Sequence, residues 1–228
     1  MHPVPYIDIH THPYHNEKDT VTVQNIYPGD GFAGFKGRNF YSVGLHPWHI
    51  GTKDENNAAL QMIEEALEFD HVILVGEAGL DKLANTDFDE QKRVFEAQAY
   101  MAEEYEYPLV IHCVKALNEV IELRTKMKPV MPWILHAYNG SIEITKQLAG
   151  MNFLFSFGES LFKSNSKGIE SFKYLDLDLL FFETDEQEME VEQVYKQGAK
   201  LKEIPIEHLK AAIWNNFNRI ENSLSSND

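Results

Sequence analysis

The amino-acid sequence predicts a TIM-type (β/α) barrel, distorted or trimmed in its second βα unit. Short apolar runs alternate with amphipathic helical stretches about seven or eight times, as expected for a parallel sheet covered on both faces. Histidine and acidic side chains fall where those runs stop, and in a parallel barrel such ends converge on one face. An open doubly wound sheet is the alternative, but no phosphate-binding glycine fingerprint follows any strand.

The elements follow in order. Residues 6–12, Tyr-Ile-Asp-Ile-His-Thr-His, alternate apolar with polar, which puts Asp8, His10 and His12 on one face of a strand. Residues 20–26 alternate as a second strand. Pro28 and the glycines up to Gly37 mark a loop, and no helical pattern precedes the third strand at 39–45, so the second unit is expected to be short. That strand runs into Gly44-Leu45-His46-Pro47-Trp48-His49. A helix over 54–69 presents Leu60, Ile63 and Leu67 at helical spacing. A buried strand at 71–75 is expected to stop at Gly76-Glu77-Ala78-Gly79-Leu80-Asp81. A helix over 88–105, with Val94, Phe95, Ala99 and Ala102 near one stripe, precedes the strand 109–111, which delivers His112. Helix 116–127 leads to strand 133–135 and His136; helix 141–148 is closed by Gly150. Strand 153–157, a helical segment near 169–175 and strand 179–182 follow, the last ending in Glu183-Thr184-Asp185. Helices over 188–201 and 206–224 complete the pattern, the second with Leu209, Ile213, Phe217 and Ile220 on one side.

The 228 residues suit one domain, 1–228, without a Pro/Gly/Ser-rich linker, and 43% hydrophobic with 25% charged residues fits an ordinary globular chain. No apolar run approaches the roughly 20 residues of a membrane span, and the first residues lack the pattern of a signal peptide; the expected location is cytoplasmic, with no membrane contact. A single cysteine, Cys113, excludes an internal disulfide and a cysteine-rich zinc site, so a metal here must rely on His and carboxylate. Lys and Arg total 20 against 36 Asp and Glu, a formal charge of −16 that repels polyanions at long range. A bound divalent pair would make a pocket locally positive.

Six candidate ligands sit at strand ends: His10, His12, Glu77, His112, His136 and Asp185. Four imidazoles and two carboxylates suit two divalent ions, with one carboxylate able to bridge and positions left for water; zinc, manganese, iron, nickel and magnesium all fit such a mixed set. The order Asp8-x-His10-x-His12, Gly44-x-His46-Pro47, Gly76-Glu77-x-Gly79-Leu80-Asp81, Ile111-His112, His136-x-Tyr138-x-Gly140 and Glu183-Thr184-Asp185 resembles the TatD-like metal-dependent hydrolases of the amidohydrolase-type barrels. Gln91, Phe95, Gln98 and Ala102, and the late Asn216-Phe217-x-Arg219, extend the resemblance over nearly the whole chain. It implies a metal-dependent phosphodiesterase, in characterised members a DNase removing nucleotides from DNA ends. Carried over, His10, His12, Glu77 and Asp185 would hold one ion, and Glu77, His112 and His136 the second, with Glu77 bridging. A metal-activated water would be the nucleophile and Asp185 the proton acceptor.

The chain also departs from the family. Val114 stands where an Arg is usual two residues after the strand-end histidine, and Lys115 replaces the charge without the bidentate grip on phosphate. Glu186, Gln187, Glu188 and Glu190 follow Asp185 where a proline is usual. His46 is read as touching substrate or orienting a ligand, and Lys115, Tyr138 and Asn139 as candidate substrate contacts. Arg38 and Lys163 are weaker candidates for phosphate, and Trp48, Phe32 and Phe35 either stack on a base or cover the barrel mouth. Glu183 and Asp8 are read as supporting groups, Cys113 as an inert thiol, and His2, His15, His49, His71 and His208 as exposed or locally bonded. The expected substrate is a DNA end or a small molecule, with no obligate protein partner. The alternatives are an amidohydrolase-like enzyme acting on a small amide, ester or lactone, and a non-catalytic metal-binding barrel.

Overall fold

The computed structural model describes residues 4–12, 19–30 and 40–225. Eight parallel strands lie in one sheet in chain order, the TIM-type barrel expected from the alternation. The strands are β1 (Tyr6–Thr11), β2 (Thr20–Ile26), β3 (Phe40–Val43), β4 (Val72–Asp81), β5 (Leu109–Val114), β6 (Trp133–Leu135), β7 (Phe153–Phe157) and β8 (Leu180–Phe182). The helices are α1 (Lys53–Ala66), α2 (Phe88–Glu104), α3 (Leu117–Met127), α4 (Ile142–Ala149), α5 (Gly168–Tyr174), α6 (Val191–Lys202) and α7 (Ile206–Ser225). After β2 a short 3-10 turn, Pro28–Asp30, begins the abbreviated second connection, and its remainder lies outside the described residues. The chain divides into two compact units, Met1–Gln24 with Ile134–Asp228, and Asn25–Trp133. No helix among the described residues is long and apolar enough to cross a membrane.

Local chemistry sets the helix starts. Thr52 caps α1 in a reciprocal capping box with Glu55, and the Asp87 carboxylate caps α2 by accepting from the Glu90 N–H at 2.7 Å. Gly150 is the C-cap of α4, as expected, but in right-handed geometry at φ −69°.

Two expectations about strands need correction. β4 does not stop at Val75 but runs ten residues to Asp81, all of them buried. Its glycines are sites of close approach rather than breakers. Gly76 and Gly79 have φ of 124° and 154°, and a Cβ at either would overlap the carbonyl of Val110 or His112 on β5. The second correction concerns the shared face of Asp8, His10 and His12. On β1, Asp8 pairs with Thr22 and Thr11 with Gln24, so three steps oppose two and an extra residue falls around Ile9 and His10. The same happens in β4, where Val75 and Ala78 pair with Leu109 and Ile111. Each bulge therefore sits at a predicted metal ligand, His10 or Glu77, and breaks the simple alternation there.

In the first unit the core gathers Ile7, Ile9, Phe155, Phe157, Phe172, Phe182, Tyr195 and Phe217, all essentially without solvent contact. In the second it gathers Val43, Ile63, Leu74, Val94, Phe95, Ile111, Val120 and Trp133. Polar helix side chains enter these cores to satisfy backbone at strand ends. Gln98 on α2 accepts from the Leu45 N–H at 2.8 Å and donates to the Leu45 carbonyl at 3.1 Å; Gln91 does the same for Asp81 at 2.9 and 3.1 Å. On α7, Asn216 donates to the carbonyls of Leu177 and Leu180. The Tyr195 hydroxyl accepts from the Ile7 N–H at 3.0 Å and donates to the Ile7 carbonyl at 3.2 Å. Burial without partners would cost each such backbone group about 1–3 kcal/mol. Tyr195→Phe removes one oxygen and strands both Ile7 groups; chemical denaturation is expected to register a loss of about 1–3 kcal/mol, and an unchanged midpoint would contradict this account of β1.

Candidate metal centre

In the first unit, β1, β6 and β8 bring together His10, His136 and Asp185, whose ligand atoms all lie within 4.8 Å of one another. Left-handed backbone at Ala137 (φ 45°) and Asp185 (φ 54°) turns the chain immediately beyond β6 and β8. Asp185 is tied back to β1 through its N–H to the His10 carbonyl (3.0 Å) and its carbonyl from the His12 N–H (3.1 Å). The buried Asp8 carboxylate accepts from the Thr184 hydroxyl at 2.6 Å and the Thr184 N–H at 3.1 Å, the anchoring role read for it. His10 is fully buried, while the His12 and Asp185 side chains remain about one-third exposed, at 34% and 31%. Asp185 Oδ1 lies 3.9 Å from His10 Nε2 and 3.5 Å from His12 Nε2, and the His10 and His136 rings are 4.7 Å apart. Behind His136, Glu183 Oε1 stands 3.8 Å from its Nδ1 and accepts from the Ala137 N–H at 2.5 Å. Burial pushes the Glu183 carboxyl up to about 7.

The second unit assembles His46, Glu77 and His112. His46 Nδ1 accepts from the Trp48 N–H at 3.1 Å, so its proton sits on Nε2, 3.2 Å from Glu77 Oε1. That geometry turns His46 toward the Glu77 carboxylate. His112 Nδ1 is 2.8 Å from the same Glu77 oxygen, and its Nε2 is 3.4 Å from Asp81 Oδ2. Asn25, at the end of β2, accepts from the Glu77 N–H at 2.7 Å and fixes the bulge. Burial raises the Asp81 carboxyl, but donors from Trp48, the Leu83 N–H and His112 together draw it below the usual range.

Sequence reasoning missed Asn25 and gave Asp81 no role. Asn25 carried no signal beyond a polar residue ending a strand, whereas Asp81 closed a quoted motif and followed a glycine-rich strand end. Two predicted substrate contacts are engaged elsewhere. The Tyr138 hydroxyl meets Thr145 Oγ1 at 2.7 Å and its ring packs on Phe155, while Asn139 Oδ1 accepts from Ser166 and from the Gly168 N–H at the start of α5. Lys115 is exposed beside its strand end, and Lys163 pairs with Glu159. Burial pushes the Cys113 thiol up to about 11, as an inert thiol requires. His49, His71 and His208 are exposed; His2, His15, Phe32, Phe35 and Arg38 lie outside the described residues.

The donor sets are of types that divalent ions accept. In the first unit Asp185 Oδ1 stands 3.5 Å from His12 Nε2, inside the about 3.3–3.6 Å that separates two donors about 2.0–2.2 Å from a shared tetrahedral ion, and 3.9 Å from His10 Nε2, wider than that. A second contact also orients His112, whose Nε2 meets Asp81 Oδ2 at 3.4 Å, as metal-binding imidazoles require.

Fold and donor sets are those of a metal-dependent hydrolase. Residues 30–222 match the family model described as TatD related DNase, and the chain belongs to that family. An uncharacterized metal-dependent hydrolase, YabD of Bacillus subtilis, is 29% identical over 197 residues, covering 79% of this chain and 76% of the relative. A 3'-5' ssDNA/RNA exonuclease, TatD of Erwinia billingiae, is 31% identical over 105 residues, 45% of this chain and 39% of its own. The crystal structure of YJJV, a TatD homolog from Escherichia coli, superimposes with a TM-score of 0.78 at 17% identity, over 96% of this chain and 97% of that one, and so shares the fold.

Gly79 decides whether His112 reaches its place. Gly79→Ala would force a side chain into the His112 carbonyl at a φ that L residues avoid. The strain is expected to cost about 1–3 kcal/mol or more, read by urea denaturation; a substitution tolerated without loss would mean that β4 and β5 are not locked here.

Proposed function

We propose that this protein is a two-ion phosphodiesterase that removes nucleotides from DNA ends. Its ions would be held by His10, His12, His136 and Asp185 in one set and by Glu77 and His112 in the other. The observation that carries the proposal is the first set, in which His10, His136 and Asp185, from three strands, bring their ligand atoms within 4.8 Å of one another. The Erwinia relative, named as an exonuclease, supports a nucleic-acid substrate. When bound, divalent ions supply a water acidified to near-neutral pKa and Lewis-acid stabilisation of developing charge.

The chain's own groups do the rest. Asp185, partly open to solvent and anchored by its backbone to β1, is placed to accept the proton of an attacking water. His46 turns its Nε2 toward Glu77 Oε1 at 3.2 Å and keeps that carboxylate aimed. Asp81 holds the His112 ring from behind. A second reading, hydrolysis of a small amide, ester or lactone, is favoured by the sequence around the site: Val114 replaces the usual Arg, and Glu186, Glu188 and Glu190 are exposed beside Asp185. Such carboxylates oppose a polyanion.

Protein purified without chelator and reloaded with zinc or manganese is expected to carry about two equivalents of metal, falling when His10 and His12 are replaced by Ala. It should shorten a single-stranded oligonucleotide, with Asp185→Asn slower by roughly 10²–10⁴. Cleavage of an ester or lactone but not of DNA would select the second reading, and no metal under any loading condition would overturn both.

A further inference from the structure

We infer that Trp48 is a stacking platform for the base of the terminal nucleotide, held ready by Asp81. The identity of the ligand rests on the phosphodiesterase reading; the platform itself rests on geometry. Trp48 is 57% exposed, a large aromatic surface left in water. It is nevertheless pinned. Its indole N–H donates to the buried Asp81 Oδ2 at 2.7 Å. Its ring meets His46 edge-on at 4.9 Å and an interplanar angle of 86°, and stands 6.0 Å from the His112 ring.

The segment that carries it is clamped as well. The Thr86 hydroxyl donates to the Pro47 carbonyl at 2.8 Å, and Gln91 holds Thr86 at 2.7 Å together with the Asp81 backbone. Asp81 Oδ1 meanwhile accepts from the Leu83 N–H at 2.8 Å, so one carboxylate fixes the Trp48 ring with one oxygen and the loop after β4 with the other. The ordering cost of an aromatic contact is therefore met on folding instead of on binding. Coverage of the barrel mouth does not require this: a covering aromatic would be buried, whereas this one is exposed and oriented next to two histidines of the candidate metal centre. Stacking tolerates every base, which suits an enzyme working inward from an end.

The test compares an oligonucleotide carrying a normal terminal nucleotide with one whose terminal nucleotide is abasic. In the wild type the abasic substrate is expected to have a KM higher by roughly 5- to 150-fold, the equivalent of a base–aromatic stack. In Trp48→Ala that ratio should fall toward one, with the change in KM rather than kcat. A ratio that survives the substitution overturns the platform, as does a variant whose only change is loss of a dimer in sedimentation. Binding supplies the independent arm. Deoxyadenosine monophosphate should quench the tryptophan fluorescence of the wild type, deoxyribose 5-phosphate should not, and the quench should disappear in Trp48→Leu, where the buried Trp133 and the remaining Trp214 report alone. Quenching without hydrolysis of any oligonucleotide would overturn the phosphodiesterase reading and keep the platform. No base-dependent quenching in the wild type would overturn the platform whatever the hydrolysis assay reads.

Discussion

The structure depends on a single constraint: a strand that must aim a ligand has to leave regular pairing, and the backbone groups it frees must still be bonded. The extra residues in β1 and β4 do the aiming, since each falls at a candidate ligand, His10 or Glu77. The bonding is supplied from outside the sheet. Asn25 takes the Glu77 N–H, Gln91 both backbone groups of Asp81, Gln98 both of Leu45, and Tyr195 both of Ile7. Polar side chains buried in a helix face are costly unless satisfied. Here each replaces the missing neighbour strand, so the family-like glutamines of α2 are part of how the site is held rather than part of its chemistry.

A second layer is electrostatic. The chain is strongly acidic; the candidate donor set of the first unit carries Asp185 with the buried Glu183 beside it, and that of the second carries Glu77 with Asp81. In the second unit, imidazole rings and the indole N–H are turned toward carboxylates: His46 toward Glu77, His112 between Glu77 and Asp81, Trp48 toward Asp81. None of these donors is a Lys or Arg. Such donors orient carboxylates without the fixed charge of a Lys or Arg competing for them, which would leave those carboxylates to divalent ions.

Much of this was legible in the sequence. The period of the apolar runs placed the strands and helices within a few residues, the end of β4 excepted, because buried parallel strands and amphipathic helices differ in length and spacing. The candidate ligands stood out by position alone, Glu77 inside β4, His10 and His112 toward the ends of β1 and β5, and His136 and Asp185 just beyond β6 and β8. Bulges were not, since an extra residue looks like ordinary alternation until the partner strand is known. The end of β4 was misread for a related reason: Gly76 and Gly79 resemble breakers, but their lack of a side chain serves contact with β5. Tyr138 and Asn139 follow a ligand closely and so looked like substrate contacts. Their partners, Thr145 and the start of α5, are reached only through the tertiary fold.

The two departures from the family bear on substrate in the same direction. Without an Arg at position 114, and with carboxylates at 186, 188 and 190, the chain offers little fixed positive charge around Asp185, so an anionic substrate would owe its attraction to bound ions. Such attraction acts at short range, on the one phosphate that reaches the centre, and does not extend along a nucleic-acid strand as a basic groove would. A protein built this way would recognise the end of a chain better than its length. An aromatic surface beside the centre, which needs no charge to hold a base, is the form of recognition that such a surface leaves open.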